Sequence, residues 1–159
     1  MRGPVFRTAR ADELETLAEI WNASWHSTGV ESPETLSIED LAARLSQYVS
    51  DGGALYVVED SDAPAGLILL FAETQQLSQL FLAPNAQGKG LGQACLHFVQ
   101  ETLPSGFWLT VAEANAGAIR FYEANGLNFQ SRDYRAAYDR FDLRYAWAPS
   151  SRLQAGPKR

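Results

Sequence analysis

The segment at residues 87–92, Gln-Gly-Lys-Gly-Leu-Gly, constrains this chain more than any other stretch. It lies between residues 76–82, which predict a strand, and an apolar stripe at helical spacing, which predicts a helix. Glycines at such a junction let the backbone approach a ligand closely. The first amide groups of a helix have no intrahelical acceptor, and together with the helix dipole they bind phosphate. Because Lys89 adds a positive charge, we predict a phosphate- or pyrophosphate-binding turn here.

Two familiar nucleotide-binding loops do not match this segment. A Walker A loop needs lysine followed by serine or threonine, whereas Gly90 follows Lys89. A Rossmann fingerprint has the spacing G-x-G-x-x-G after the first strand of its unit. Here the glycines alternate from Gly88 to Gly92, and three predicted strands precede the one that leads into them. A flexible loop without a ligand remains the alternative.

Composition narrows the class of protein further. A length of 159 residues is typical of one domain, and the formal net charge of −6 argues against a general nucleic-acid binder. The single cysteine can form neither an intramolecular disulfide nor a structural zinc site. The N-terminus lacks the apolar core of a signal peptide, and the longest apolar run, residues 67–72, is too short to span a bilayer. We therefore expect a cytoplasmic protein without a membrane or nucleic-acid partner.

The charges are unevenly distributed along the chain. Residues 1–62 carry 12 acidic side chains and four arginines, whereas residues 132–159 carry seven basic and three acidic ones. One interpretation is an ordinary solvated surface with a basic tail. The other is an acidic lobe that attracts a cation.

The apolar periodicity predicts the element order β, α, α, three strands, α, β, α and two strands. We predict one α+β domain over residues 1–148, followed by a flexible tail at 149–159. Asp12 is the expected N-cap of the first helix, with Glu15 completing a partial capping box. The third strand is predicted at 66–73, and the last two at 127–130 and 141–147.

The glycine motif resembles the pyrophosphate motif of the GNAT superfamily of acetyl-CoA-dependent N-acyltransferases. Residues 80–84 are similar to the family's fourth strand, and the element order agrees over about residues 5–147. A later set is similar to its second acetyl-CoA segment: Asn115, Ala118, Phe121, Tyr122, Glu123, Gly126 and Leu127. The sequence departs from the family at Gln87, where arginine is commoner, and at Leu127, where phenylalanine is usual.

The resemblance implies a GNAT-like fold with a mixed, mostly antiparallel sheet of about six to seven strands and about four flanking helices. It implies acetyl-CoA as co-substrate, without a metal. The pantetheine arm would pair with the fourth strand, whose amide groups could stabilise a developing oxyanion. Asn115 would lie near the pantetheine amide or simply cap its helix. The implied coenzyme-binding residues are Phe81, Leu82, Gln87, Gly88, Lys89, Gly90, Leu91, Gly92, Asn115 and Tyr122.

The family reaction, direct transfer of an acetyl group from a thioester to an amine, assigns the candidate catalytic groups. Tyr122 matches the frequent general acid for the leaving thiolate, although it could be a packed aromatic. Glu73 and Glu113 are candidates for the general base, acting directly or through water, although both could be solvated surface carboxylates. His26 is a further candidate for the base, the alternative being a partly exposed or hydrogen-bonded histidine. Cys95 lies within the apolar stripe of its helix, so we expect it in the core rather than as a nucleophile.

On the acceptor side, the resemblance implies that the first two helices and the intervening loop cover the acceptor cleft. Trp25, His26 and Glu31 are therefore candidate acceptor-binding residues. The expected acceptor is a primary amine of a small molecule, and a cationic amine would suit the acidic residues of segment 1–62. The alternatives are a protein N-terminus or lysine, or a non-catalytic acyl-CoA-binding module. A homodimer also stays open, since dimers are common in this family.

Overall fold

The computed structural model describes residues 3–30 and 36–149. The predicted element order is confirmed, and the helices and strands have the following bounds: β1 (Val5–Thr8), α1 (Leu14–Ser27), α2 (Ile38–Ser50), β2 (Ala54–Asp60), β3 (Ala63–Phe71), β4 (Gln76–Leu82), α3 (Leu91–Thr102), β5 (Phe107–Ala112), α4 (Ala116–Ala124), β6 (Asn128–Arg135) and β7 (Arg140–Trp147). Among the described residues, no helix has both the length and the hydropathy needed to cross a bilayer.

The seven strands form one sheet in the order β1-β2-β3-β4-β5-β7-β6. Neighbouring strands are antiparallel except β4 and β5, which are parallel and share one register pair in the described chain, Gln76 with Trp108. The expected mixed, mostly antiparallel sheet with four helices is confirmed. Because β4 and β5 lose contact after this pair, the sheet opens into a gap between them.

Helices cover both faces of the sheet. Leu17 of α1 and Leu45 of α2 pack with Leu67 and Leu69 of β3 in one cluster. The alternate residues of β3 face the other way, into a larger cluster with α3 and α4 that includes the fully buried Cys95. This period-two alternation places α1 and α2 on one face and α3 and α4 on the other.

A bulge in β4 changes which way its side chains point. Leu69 pairs with Gln79 and Leu70 with Leu77, so Ser78 has no partner in the register. Leu77 and Leu80 consequently both join the α3/α4 cluster although they are three residues apart, whereas Phe81 packs against the α1/α2 cluster. The bulge thus re-aims β4 at the edge where it separates from β5.

The predicted start of α1 is wrong. A 3₁₀ turn at Ala11–Glu13 precedes the helix. The carboxylate of Glu13, rather than that of Glu15, accepts a hydrogen bond from the backbone amide of Arg10 at 2.8 Å. Glu13 is fixed there because Arg7 of β1 donates to both of its carboxylate oxygens, at 2.8 and 2.6 Å. Asp12 remains exposed. The long-range ion pair therefore decides which carboxylate caps the turn.

Two strand boundaries also differ from the prediction. β3 ends at Phe71, and Glu73 lies in the exposed turn before β4. β6 runs to Arg135 instead of ending at Gln130, because residues 131–135 pair with β7. A short turn at Ala136–Tyr138, followed by Asp139 with a φ of 47°, closes this hairpin.

The Arg7–Glu13 pair predicts a pH-dependent stability. Hydrogen bonds from Arg7 lower the pKa of Glu13 to about 2. Because the pKa is depressed in the fold, the stabilisation is complete above the unfolded value near 4.5 and is lost as the pH falls towards 2. Glu13→Gln should lower the free energy of unfolding at pH 7 by about 1 kcal/mol, measured with urea.

The matched control is Glu15→Gln, on the same segment but exposed and without a hydrogen bond to any described side chain. It should leave the free energy of unfolding nearly unchanged at every pH. Equal losses in both variants at pH 7, or a Glu13→Gln deficit that persists at pH 2, would contradict the assignment.

Candidate active site

A cleft of about 1430 Å³ opens where β4 and β5 separate. It is lined by residues 76–82 of β4 and 109–112 of β5, by the last turns of α1, and by the starts of α3 and α4. Pockets for one small ligand usually occupy about 300–1,000 Å³. The cleft is therefore larger than a pocket for one small ligand usually is.

The predicted phosphate turn forms one wall of this cleft. Gly88 and Gly90 adopt left-handed φ values of 78° and 77°, and a Cβ at either position would meet no atom within 4 Å. The glycines are thus required by backbone conformation and not by crowding. Gly90 is the N-cap of α3, and the amides of Leu91, Gly92 and Gln93 have no acceptor among the described residues. These amides are available for an anion.

Gln87 has a structural role within this turn. Its side-chain amide donates to the backbone carbonyl of Leu82 at 3.1 Å, which ties the turn to the end of β4. Gln87 also lines the cleft. The residue that departs from the commoner arginine therefore braces the loop through a neutral hydrogen bond.

Gly92 has a packing role. A Cβ on Gly92 would lie 2.9 Å from the Phe121 ring, so the missing side chain lets α3 approach α4 closely. The Leu91 side chain is buried in the core, and the exposed Lys89 is not part of the cleft wall. Sequence reasoning did not separate these roles, because Gly88, Gly90 and Gly92 look alike in the printed motif.

Gly92→Ala tests the packing role. Alanine favours a helix over glycine by about 1 kcal/mol, but overpacking typically costs about 1–3 kcal/mol. We expect a net loss in the free energy of unfolding of about 1 kcal/mol, measured by urea denaturation. Gly117→Ala in α4 is the control, because its Cβ would meet a single side-chain atom at 4.0 Å. A stabilised Gly92→Ala variant would show that Phe121 moves freely.

Asn115 and Tyr122, predicted to share one helix face, both line the cleft. The Asn115 side chain accepts a hydrogen bond from the amide of Ala118 at 3.3 Å, so its capping role is confirmed. Tyr122 is half-buried against the α3/α4 cluster, and its hydroxyl has no hydrogen-bond partner among the described residues. Burial raises the pKa of Tyr122 to about 12, which keeps the phenol protonated at neutral pH.

The two carboxylates predicted as bases occupy different surroundings. Glu73 is exposed on the β3–β4 turn and does not line the cleft. Glu113 lines a smaller adjoining cavity of about 460 Å³. Arg132 binds it through two hydrogen bonds and lowers its pKa, which makes it a weaker base. Both placements weaken the case for direct proton abstraction by these groups.

On the acceptor side, Trp25 and the exposed His26 line the cleft at the end of α1. Glu31 lies outside the described residues. Phe81 stacks on Trp21 with the ring centroids 5.5 Å apart, which joins β4 to α1 beside the cleft. The structure thus brings the coenzyme-side and acceptor-side candidates to one opening.

Sequence reasoning missed a cluster contributed by the β6–β7 hairpin. Arg135, Tyr138, Arg140 and Asp142 all line the cleft. They were missed because β6 was predicted to end five residues early, so the hairpin itself was not recognised. A turn signal at Tyr138–Asp139 between two polar runs was the available clue.

The idea that the acidic lobe faces a cationic acceptor is not supported. None of the acidic residues described in segments 3–30 and 36–62 lines the cleft. The described wall of the cleft contains one carboxylate, that of Asp142. It contains three guanidinium groups, those of Arg44, Arg135 and Arg140. The acidic side chains instead lie on the outer surface or in ion pairs.

The described residues contain no group of three or more His, Cys, Asp or Glu side chains arranged to hold a metal ion.

The fold and cleft agree with comparisons to known proteins. The family model described as "Acetyltransferase (GNAT) family" matches residues 14–127. The chain belongs to the GNAT acetyltransferase family and is therefore an acyltransferase. It is similar to the peptidyl-lysine N-acetyltransferase YiaC of Escherichia coli, with 26% identity over 126 residues that cover 78% of this chain and 83% of the relative.

Solved structures agree with this fold. An acetyltransferase from Thermus thermophilus matches with a TM-score of 0.78 and 18% identity, covering 93% of this chain and 98% of its own. The PaiA N-acetyltransferase of Thermoplasma acidophilum, solved with coenzyme A, matches with a TM-score of 0.69 and 21% identity, covering 92% of this chain and all of its own.

Proposed function

We propose that this enzyme transfers the acetyl group of acetyl-CoA directly to a primary amine of a small molecule. The observation that carries the proposal is the cleft between β4 and β5, because it joins the free amides at the start of α3 to an unpaired strand edge and a protonated tyrosine. Direct transfer would place a coenzyme arm and a second ligand in this cleft together.

The coenzyme side of the proposal rests on backbone groups. The free amides at the start of α3 would bind the pyrophosphate, with the left-handed Gly88 and Gly90 shaping the turn. The edge of β4 that faces the gap, up to Phe81 and Leu82, would pair with the pantetheine arm. Asn115 would serve both as helix cap and as a neighbour of that arm.

The chemistry needs a proton donor and an amine that has lost its proton. Acetyl-CoA supplies the activated acetyl group, and Tyr122 would donate a proton towards the departing thiolate. An alkylammonium, with a pKa near 10, must be deprotonated before attack. Because Glu73 does not line the cleft and Glu113 is paired with Arg132, the amine would lose its proton through a water molecule or to His26, which lines the cleft.

The test is a two-stage experiment. Thermal unfolding with and without 1 mM acetyl-CoA should give a higher Tm with the coenzyme, as ligand binding to the native state requires. Release of coenzyme A thiol should then be measured across free amines, polyamines and lysine peptides. No Tm shift and no thiol release would overturn the proposal. A Tm shift without turnover would indicate a non-catalytic acyl-CoA-binding module.

A peptidyl lysine is the second candidate acceptor, favoured by the similarity to YiaC. The same panel separates the two, since a lysine peptide acetylated faster than every free amine would assign the enzyme to proteins. We expect the reverse order.

A further inference from the structure

We propose that the acceptor carries an anionic group, a carboxylate or a phosphate, in addition to its amine, and that Arg140 and Arg135 bind this group. The inference rests on the proposed function and names the substrate class of the same cleft. It starts from the hairpin cluster of Arg135, Tyr138, Arg140 and Asp142.

One buried carboxylate holds the two arginines of the cluster. Asp142 is 4% exposed, and it accepts from Arg140 Nε at 3.0 Å and from Arg135 Nη1 at 3.4 Å. Two guanidinium groups share one carboxylate, so this cluster keeps a net positive charge. The nearby Glu113 does not neutralise it, because both oxygens of Glu113 bind Arg132.

Arg140 has donors to spare and is held in place. A guanidinium has five N–H donors, and the structure pairs only Nε of Arg140 within the described residues. Its guanidinium lies 5.3 Å from the Trp25 ring centroid and 4.8 Å from that of Tyr138. These cation–π contacts and the hydrogen bond to Asp142 hold the planar, forked guanidinium of Arg140 in one orientation. Its Nη groups can then bind a carboxylate or phosphate through two hydrogen bonds.

The position of the cluster separates it from the coenzyme's phosphate turn. Leu143 and Tyr145 of β7 pack into the α3/α4 cluster, so the alternate residues Arg140 and Asp142 face the side of α1 and α2. The contact of Arg140 with Trp25 of α1 agrees with this orientation. The phosphate turn begins α3, on the opposite face. A second anion site is therefore present at the acceptor end of the cleft.

The charge of the cluster also discriminates among acceptors. Its net positive charge repels polyamines, whereas an anionic group on the acceptor offsets that repulsion.

Matched acceptors test the inference. L-phenylalanine is compared with L-phenylalaninamide and 2-phenylethylamine, and phosphoethanolamine with ethanolamine, by initial rates of thiol release. We expect kcat/KM to be at least about tenfold higher for an anionic member than for its neutral-tail partner, since a bidentate charged pair is lost. Whichever pair shows the preference identifies carboxylate or phosphate as the bound group.

Variants separate binding from folding. Arg140→Gln should raise KM for the preferred anionic acceptor about tenfold or more, with kcat within about threefold, and should change KM for the neutral partner much less. Arg140→Lys should recover part of the loss, because it restores the charge without the fork. Arg144→Gln, on the same strand but outside the cleft wall, is the charge-matched control and should behave like the parent enzyme.

The outcomes are distinct. Equal or better turnover of neutral amines or spermidine, or equal KM increases in Arg140→Gln and Arg144→Gln, would overturn the anionic acceptor while leaving the acetyltransferase proposal intact. Absence of turnover with every amine and peptide would instead overturn the proposed function.

Discussion

Replacement of Tyr122 by phenylalanine is expected to lower kcat by about 100-fold or more while acetyl-CoA affinity stays within about twofold. The ring would keep its packing against the α3/α4 cluster, so the loss isolates the hydroxyl. That hydroxyl has no hydrogen-bond partner in the described chain, and burial holds its pKa near 12. The phenol therefore stays protonated across the neutral range, as a general acid requires, and stability should change little on removal of the hydroxyl.

Steady-state kinetics and equilibrium binding of acetyl-CoA measure the two effects separately. Tyr56→Phe is the matched control, because Tyr56 is half-buried beside Phe98 and lies outside the cleft wall. It should retain full activity. If Tyr122→Phe keeps the parent kcat, Tyr122 has no part in the transfer and the thiolate is protonated by solvent.

The second large effect is expected at Gly90, where backbone conformation can be separated from steric bulk. Gly90 caps α3 with a φ of 77°, and a Cβ there would meet no protein atom within 4 Å. Valine tolerates this left-handed region poorly, at about 1–2 kcal/mol, whereas asparagine enters it readily. Gly90→Val should weaken acetyl-CoA binding about tenfold by moving the helix amides, and Gly90→Asn by less than about threefold.

Isothermal titration with acetyl-CoA measures both variants, with thermal unfolding as a check that each is folded. Similar losses in the two variants would mean that the added side chain obstructs the coenzyme. Parent-like affinity in Gly90→Val would mean that the turn is not shaped for the pyrophosphate.

Local signals in the sequence predicted most of the fold. The apolar periodicity located all four helices, and the spacing of residues 87–92 identified the turn that begins α3. Asn115 was recognised as a cap because an asparagine before a helical stripe can accept a hydrogen bond from the first turn. The predicted boundaries of helices and strands were wrong where residues distant in the sequence determine them. Arg7 selects Glu13 over Glu15, and β7 extends β6 by pairing with residues 131–135.

The charge of the cleft could not be predicted from composition. The acidic side chains described in segments 3–30 and 36–62 lie on the outer surface or in ion pairs, which a count along the chain cannot reveal. The arginines of the cleft wall come from α2 and from both strands of the β6–β7 hairpin. Only the packing of α1 against this hairpin places Trp25 beside Arg140. The concentration of arginines at this end of the cleft therefore arises from tertiary packing.

The burial of Cys95 has a practical consequence for enzymology. This residue is the chain's single cysteine, it is fully inaccessible, and burial raises the pKa of its thiol to about 12. A folded sample should therefore give no background with disulfide-exchange dyes, which leaves coenzyme A as the sole thiol detected during turnover. Any slow labelling of the protein itself would report transient detachment of α3, so one reagent can follow both catalysis and local opening.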